Sequence, residues 1–157
     1  MESTEPQDAD SVWFHMIRLH GRMSAAMNRR LREINISIPQ CDVLTALIEH
    51  EGISQQDLAQ RLMVTKGNVS GLIDRLVIAG LVDRRTLNSD RRTHAIHLTP
   101  EGRRLALQGI AMQKAFVNET LGRLSPAQLA QMTKLLVLAR GILQQQEGVS
   151  SRSEAAT

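Results

Sequence analysis

Between Ile53 and Thr99 the apolar positions change period, first helical and then alternating. Leu58, Ala59 and Leu62 form the inner stripe of a short helix. Ser54 is its N-cap, and Asp57, three residues on, is placed to reach back to the backbone amide of the cap. Met63-Val64 is a turn, and Thr65 caps a second helix whose Val69, Leu72, Ile73 and Leu76 share one face and turn inward. Gly80 ends that helix as its C′ residue. Leu81 to Thr86 then reads as a strand, Leu87-Asn88-Ser89-Asp90 as a turn cluster, and His94 to Leu98 as a second strand. In that second strand Ile96 and Leu98 lie on one face, Ala95 and His97 on the other. A helix, a tight turn, a helix and a two-stranded hairpin make a winged helix-turn-helix, whose second helix fits the DNA major groove.

The flanks are helical. From Ser11 to about Ile34, Met16, Leu19, Met23, Met27, Leu31 and Ile34 follow one stripe, and Trp13 and Ile17 widen it. So broad an apolar face predicts contact on two sides, one within the chain and one with a partner subunit. Pro39 starts the next helix at its first position, and Val43, Leu44, Leu47 and Ile48 point inward before Glu51-Gly52 ends it. After the hairpin, Thr99 and Pro100 open a helix carrying Leu105, Met112, Phe116 and Leu121, which breaks near Leu124. Ser125-Pro126 opens the last helix. Its Leu129, Met132, Leu136, Ala139 and Leu143 run beside a second stripe of Leu135, Leu138 and Ile142, again more apolar surface than one side needs. The expected fold class is mostly α with a small β-hairpin. A winged helix-turn-helix lobe spans 37–99, and a helical dimerisation region is formed by 11–36 and 100–147. Residues 1–10 are expected to be a disordered tail and 148–157 a flexible one.

Charge sharpens this picture. The chain of 157 residues has a net charge of +3. From Arg61 to Arg104 nine basic residues stand against four acidic ones, a local surplus of five that leaves the rest of the chain at −2. Positive charge is therefore concentrated in the lobe assigned to DNA. The outer face of the second helix offers Lys66, Gly67, Asn68, Ser70 and Gly71, all small or polar. Each glycine lowers helix propensity by about 1 kcal/mol relative to alanine, so a helix holding both is built for close approach to something. At the hairpin tip, Asp90 can hold Arg92 by a carboxylate–guanidinium pair and leave Arg91 or Arg92 aimed at a narrow minor groove.

Taken together, SQQDLAQRL, TKGNVSGLIDRLVIAGLV, SDRR and LTPEGR in this order resemble the MarR family of bacterial transcriptional regulators. The matching segment covers about a third of the chain, and the flanking helices extend the likeness over nearly everything but the tails. The resemblance implies a homodimer with one winged lobe per subunit, reading a pseudo-palindromic operator in double-stranded DNA. It places recognition-helix contacts on Thr65, Lys66, Asn68 and Ser70 and the wing motif on Asp90 and Arg92. Family members are often released from DNA by a small molecule or by thiol oxidation and commonly bind small anions or aromatic acids, in a crevice that Trp13, Ile17, Cys41, Asp42 and Met112 could line here; a repressor released by such a ligand is expected. A urate-responsive subset pairs an early Trp with an Asp at the start of the second helix and arginines near the wing. Trp13, Asp42 and Arg85 fit that pattern loosely, which does not assign urate.

Other chemistry is sparse. The single cysteine excludes an intramolecular disulfide, and no apolar run approaches the roughly 20 residues that span a bilayer. With no signal-peptide pattern, a cytoplasmic protein is expected. His15, His20, His50, His94 and His97 include no pair with chelating geometry, so no metal site and no cofactor is expected. No nucleophile–base set, paired-carboxylate motif or phosphate loop is present, which argues against an enzyme. Cys41 lies in the first turn of a helix, where the dipole favours a thiolate, while the neighbouring Asp42 opposes it. A redox switch at Cys41 is one rival input. A winged-helix protein-interaction module without DNA binding is the rival of another class.

Overall fold

The computed structural model describes residues 8–87 and 90–154, without the side chains of 87, 90–93 and 147–154. These residues divide into two compact units that meet within one helix, between Lys114 and Ala115. The first unit opens with α1 (Ala9–Leu31), a 3-10 turn over Arg32–Ile34 and α2 (Ile38–Glu49). A short strand β1 (Ile53–Ser54) leads into α3 (Gln55–Arg61) and α4 (Lys66–Ile78), and strands β2 (Val82–Leu87) and β3 (Asp90–Leu98) follow. Helix α5 (Pro100–Glu119) crosses into the second unit, which contains a 3-10 turn over Leu121–Arg123 and α6 (Pro126–Glu154).

Local chemistry sets the boundaries. Asp8 caps α1, its Oδ1 accepting the Ser11 N–H at 2.8 Å, so the helix begins at Ala9 rather than at Ser11. Residues 9 and 10 therefore belong to the helix and not to the tail expected over 1–10. Ser37 caps α2 with a full capping box through Gln40, which places Pro39 second rather than first in the helix. Neither position needs an amide hydrogen for the helix ladder, so the proline fits both. Past Gly148 no proline intervenes, and α6 continues to Glu154. One mid-helix glycine weakens a helix by about 1 kcal/mol without stopping it.

The sheet has three strands in the order β1-β3-β2, all antiparallel, not the two of a simple hairpin. Gly52, at φ +80°, turns the chain after α2 so that its N–H donates to Ile96 O at 2.9 Å and Ile53 lies opposite Ile96. Asp90, Arg91 and Arg92 lie within β3, with Asp90 opposite Leu87, rather than in a turn between strands. The register shifts between Thr86 and Leu87, and that irregularity absorbs the extra residues. Ile96 and Leu98 are buried as the alternation required, but Ala95 on the other face is buried too.

The core of the first unit is aliphatic. Leu44, Leu47, Leu58, Val69, Ile73, Leu76, Val82 and Ile96 are fully buried where α2, α3, α4 and the sheet meet. Helix α4 ends in a Schellman motif, with the Gly80 N–H bonded to Val77 O and the Leu81 N–H to Leu76 O, each at 2.9 Å. The Leu81 carbonyl then receives the Thr99 N–H at 3.1 Å, joining the end of β3 to the base of the wing. Here α5 begins, Thr99 Oγ1 accepting the Gly102 N–H at 3.0 Å and donating to Gly80 O at 2.7 Å. A β-carbon on Gly102 would lie 1.8 Å from Leu81 O, so the residue at 102 must be glycine for this crossing to close.

Gly102→Ala should therefore destabilise the fold by at least the roughly 1–3 kcal/mol typical of overpacking, because the clash is with backbone. Gly67→Ala, where an added β-carbon meets nothing within 4 Å, should not lower stability at all. Denaturant midpoints at unchanged slope measure both. Equal midpoints for Gly102→Ala and wild type would show that the crossing is looser than described.

Candidate nucleic-acid interface

The helix pair that defines this surface is held by its own caps. Ser54 Oγ accepts the Asp57 N–H at 3.1 Å and donates to Asp57 Oδ2 at 2.7 Å. The aspartate thus takes the hydroxyl of the cap rather than its backbone amide, the shorter side chain stopping one methylene short of a glutamate's reach. Between α3 and α4 the chain reverses through Met63 in the left-handed region at φ 54°, with the Val64 N–H donating to Ala59 O at 3.0 Å. Thr65 then caps α4, accepting the Asn68 N–H at 3.2 Å.

With Val69, Leu72, Ile73 and Leu76 buried, the opposite side of α4 is fixed as its outer face. Thr65, Lys66, Gly67 and Asn68 are exposed and Ser70 is half-buried. Gly67 and Gly71 stand four apart with open space above them, since a β-carbon at 71 would meet only the Arg75 guanidinium at 3.7 Å. Nothing among the described residues requires either glycine. The bare backbone they expose is available to something outside it.

A cavity of about 380 Å³ opens beside this face, lined by Gln55, Asp57, Lys66, Val69 and His94 among others. The sequence reading missed a second feature, the ion pair between Arg84 Nη2 and Asp74 Oδ1 at 2.6 Å, with Gln55 Oε1 3.4 Å from the same nitrogen. The alternation of β2 held the signal, because it puts Arg84 on the same side as the buried Val82. The side chains of Asp90, Arg91 and Arg92 lie outside the described residues, and so does the expected pairing of Asp90 with Arg92.

The expected ligand residues are dispersed in environment. Trp13, Ile17, Asp42 and Arg85 are exposed, Met112 is half-buried and Cys41 is buried. None of them lines the cavity above, nor a second one of about 430 Å³ between Ile34, Ala79, Leu81 and Arg104. Cys41 faces α5 closely enough that a β-carbon on Gly109 would lie 2.6 Å from its Sγ. Burial pushes the Cys41 thiol pKa up, and the charge of Asp42 adds to the effect. Partial loss of water likewise raises the Asp42 carboxyl above its ordinary value.

The comparisons with known proteins agree with this geometry. Residues 34–93 match the model of the MarR family. The transcriptional repressor IacR of Pseudomonas putida is 25% identical over 138 residues, covering 85% of this chain and 80% of its own. CouR from Rhodococcus jostii RHA1, solved bound to p-coumaroyl-CoA, is 30% identical with a TM-score of 0.72, covering 83% of this chain and 92% of its own. The S. aureus MepR–DNA complex is 26% identical with a TM-score of 0.78, covering 86% of this chain and 98% of its own.

A buried thiol with a raised pKa is a poor nucleophile. Cys41 should therefore react with a disulfide reagent such as DTNB at pH 8 only as the chain unfolds, with a rate that rises steeply in denaturant. Prompt stoichiometric reaction of the native protein would make the redox switch the leading input.

Proposed function

Because the chain belongs to the MarR family, we propose that it is a homodimeric, sequence-specific DNA-binding transcriptional regulator, a repressor released by a small ligand. The observation that carries this reading is the outer face of α4, polar and stripped to backbone at Gly67 and Gly71. A helix meeting a base edge needs small residues at its point of approach and polar ones beside it. Lys66, Asn68 and Ser70, with Thr65 at the cap, are the residues assigned to the major groove, and Asp90, Arg91 and Arg92 to the wing. That MepR was solved on DNA supports the partner, and that CouR was solved with an aromatic acyl-CoA supports a ligand-responsive regulator. The name of IacR supports repression as the outcome.

The unpartnered helices support a second copy. On α1, Val12, Trp13, Phe14, Met16, Ile17 and Leu19 are exposed in the single chain, with Trp13 at 60%. On α6, Leu135, Leu136, Val137, Leu138, Ile142 and Leu143 are exposed as well. Contiguous apolar surface of this kind marks an interaction site. A twofold dimer would set two α4 helices against half-sites about 10–10.5 bp apart, one turn of DNA. The ligand then shifts occupancy by the difference between its affinities for the free and DNA-bound arrangements.

Replacing Leu136 and Leu138 with Asp should yield monomers or unfolded chains in sedimentation velocity. Monomeric wild type at micromolar concentration would rule out the dimer.

The two DNA-contacting elements should separate in a salt series. Arg92→Ala should weaken operator and scrambled DNA alike and reduce the salt slope by about one counterion. Ser70→Ala, or a bulkier residue at Gly67, should lose about 1–3 kcal/mol of operator preference and keep weak non-specific binding. An Arg92→Ala protein with unchanged affinity and slope would remove the wing from the interface and bring the protein-interaction reading forward.

A further inference from the structure

Arg84 occupies a position on β2 that the fold reserves for an apolar residue. Val82, two residues earlier on the same face, is fully buried, while Asp83 and Arg85 on the opposite face are exposed. The Arg84 side chain is 28% exposed and reaches two helices at once. Its Nη2 bonds Asp74 Oδ1 in the middle of α4 at 2.6 Å, and Gln55 Oε1 in the first residue of α3 at 3.4 Å. One guanidinium from the wing strand thus touches both helices of the helix-turn-helix.

Stability does not account for an arginine here. Asp74 is 54% exposed, so water screens the pair, and desolvating the guanidinium offsets much of what attraction remains. Among the described residues the buried Arg84 Nε has no acceptor, which lowers the net contribution further. An unbranched apolar side chain would fill the same space as the arginine stem. What it could not supply is direction. A planar guanidinium with two partners fixes an angle as well as a distance.

We propose that Arg84 is a positioning residue: it sets the pitch of α4 against the wing strand, and through that pitch the sequence discrimination of α4, without contacting DNA. The proposal rests on α4 being the recognition helix. A helix free to rotate by a few degrees about its buried stripe keeps its apolar contacts but moves Lys66 and Ser70 relative to a base edge. The Asp74–Arg84–Gln55 bridge lies away from that stripe and restrains the rotation.

The test uses the full chain and the sequence that wild type selects from random DNA, with a scrambled duplex as control. Arg84→Met, Asp74→Ala and the double variant are compared for operator and scrambled affinity across a salt series, and for thermal unfolding. Each single variant should unfold near the wild-type temperature. Each should lose about tenfold in the ratio of operator to scrambled affinity, with non-specific affinity and salt slope unchanged. The double variant should lose no more than either single one, because both break the same bridge. Should Arg84→Met fail to fold, Asp74→Ala, which removes only an exposed carboxylate, decides the matter alone. Unchanged operator preference in the folded variants would overturn the proposal while leaving the regulator reading intact. A fall in non-specific affinity with a salt slope flatter by about one would overturn it differently, by making Arg84 a phosphate contact. A wild-type chain that selects no sequence would overturn the regulator reading and this proposal with it.

Discussion

The inner stripe of α4 is the constraint on which the first unit depends. Val69, Ile73 and Leu76 are fully buried and Leu72 nearly so. Each buried aliphatic side chain contributes roughly 1.5–3 kcal/mol, while Gly67 and Gly71 together weaken the helix by roughly 2 kcal/mol. Burial wins by a wide margin, so α4 tolerates two glycines on its outer side. The same burial decides which side is outer. Once the stripe is seated against α2, α3 and β2, the rotation that presents Lys66, Gly67 and Ser70 follows without further adjustment.

Around that helix the chain is closed by backbone groups with little room to move. The Schellman turn at Gly80 stops α4 and delivers Leu81, whose carbonyl receives the Thr99 N–H. Thr99 Oγ1 bridges Gly80 O and the first turn of α5, and Gly102 makes the approach to Leu81 O possible. Helix α4, the wing base and α5 are thereby tied at one point. A shift of α5 would therefore reach α4 through a carbonyl rather than through soft side-chain packing. Cys41, packed against Gly109 with its pKa raised by burial, is part of the framework of the same unit.

Polar restraint supplements apolar packing at the edges of this arrangement. Glu51 accepts the Leu98 N–H with one carboxylate oxygen and pairs with Arg103 through the other, so the α2–β1 turn, β3 and α5 share a side chain. Arg84 does the same for β2, α3 and α4. Half-exposed pairs like these add little to stability. Their bonds are directional, so they refine the angles between elements that the core has already brought together.

By itself the sequence determined the elements whose cause is local. The 3-4 spacing of Val69, Leu72, Ile73 and Leu76, the caps at Ser54 and Thr65, and Gly80 at a C′ position each act within one or two helical turns. The helix-turn-helix and its outer face could therefore be read directly. Gly67 and Gly71 also declared themselves, because two glycines on one exposed helix face have no local explanation. Tertiary structure decided what depends on partners distant in the chain. Strand β1 is two residues long and exists only because Ile96 lies opposite Ile53. Gly102 reads as an unremarkable residue after Thr99-Pro100 until Leu81 O is found where its side chain would be. Arg84 counted in the sequence as one more basic residue of a positive lobe. Only the fold turned it inward onto Asp74 and Gln55, because a strand's alternation fixes which side a residue takes but not what waits there.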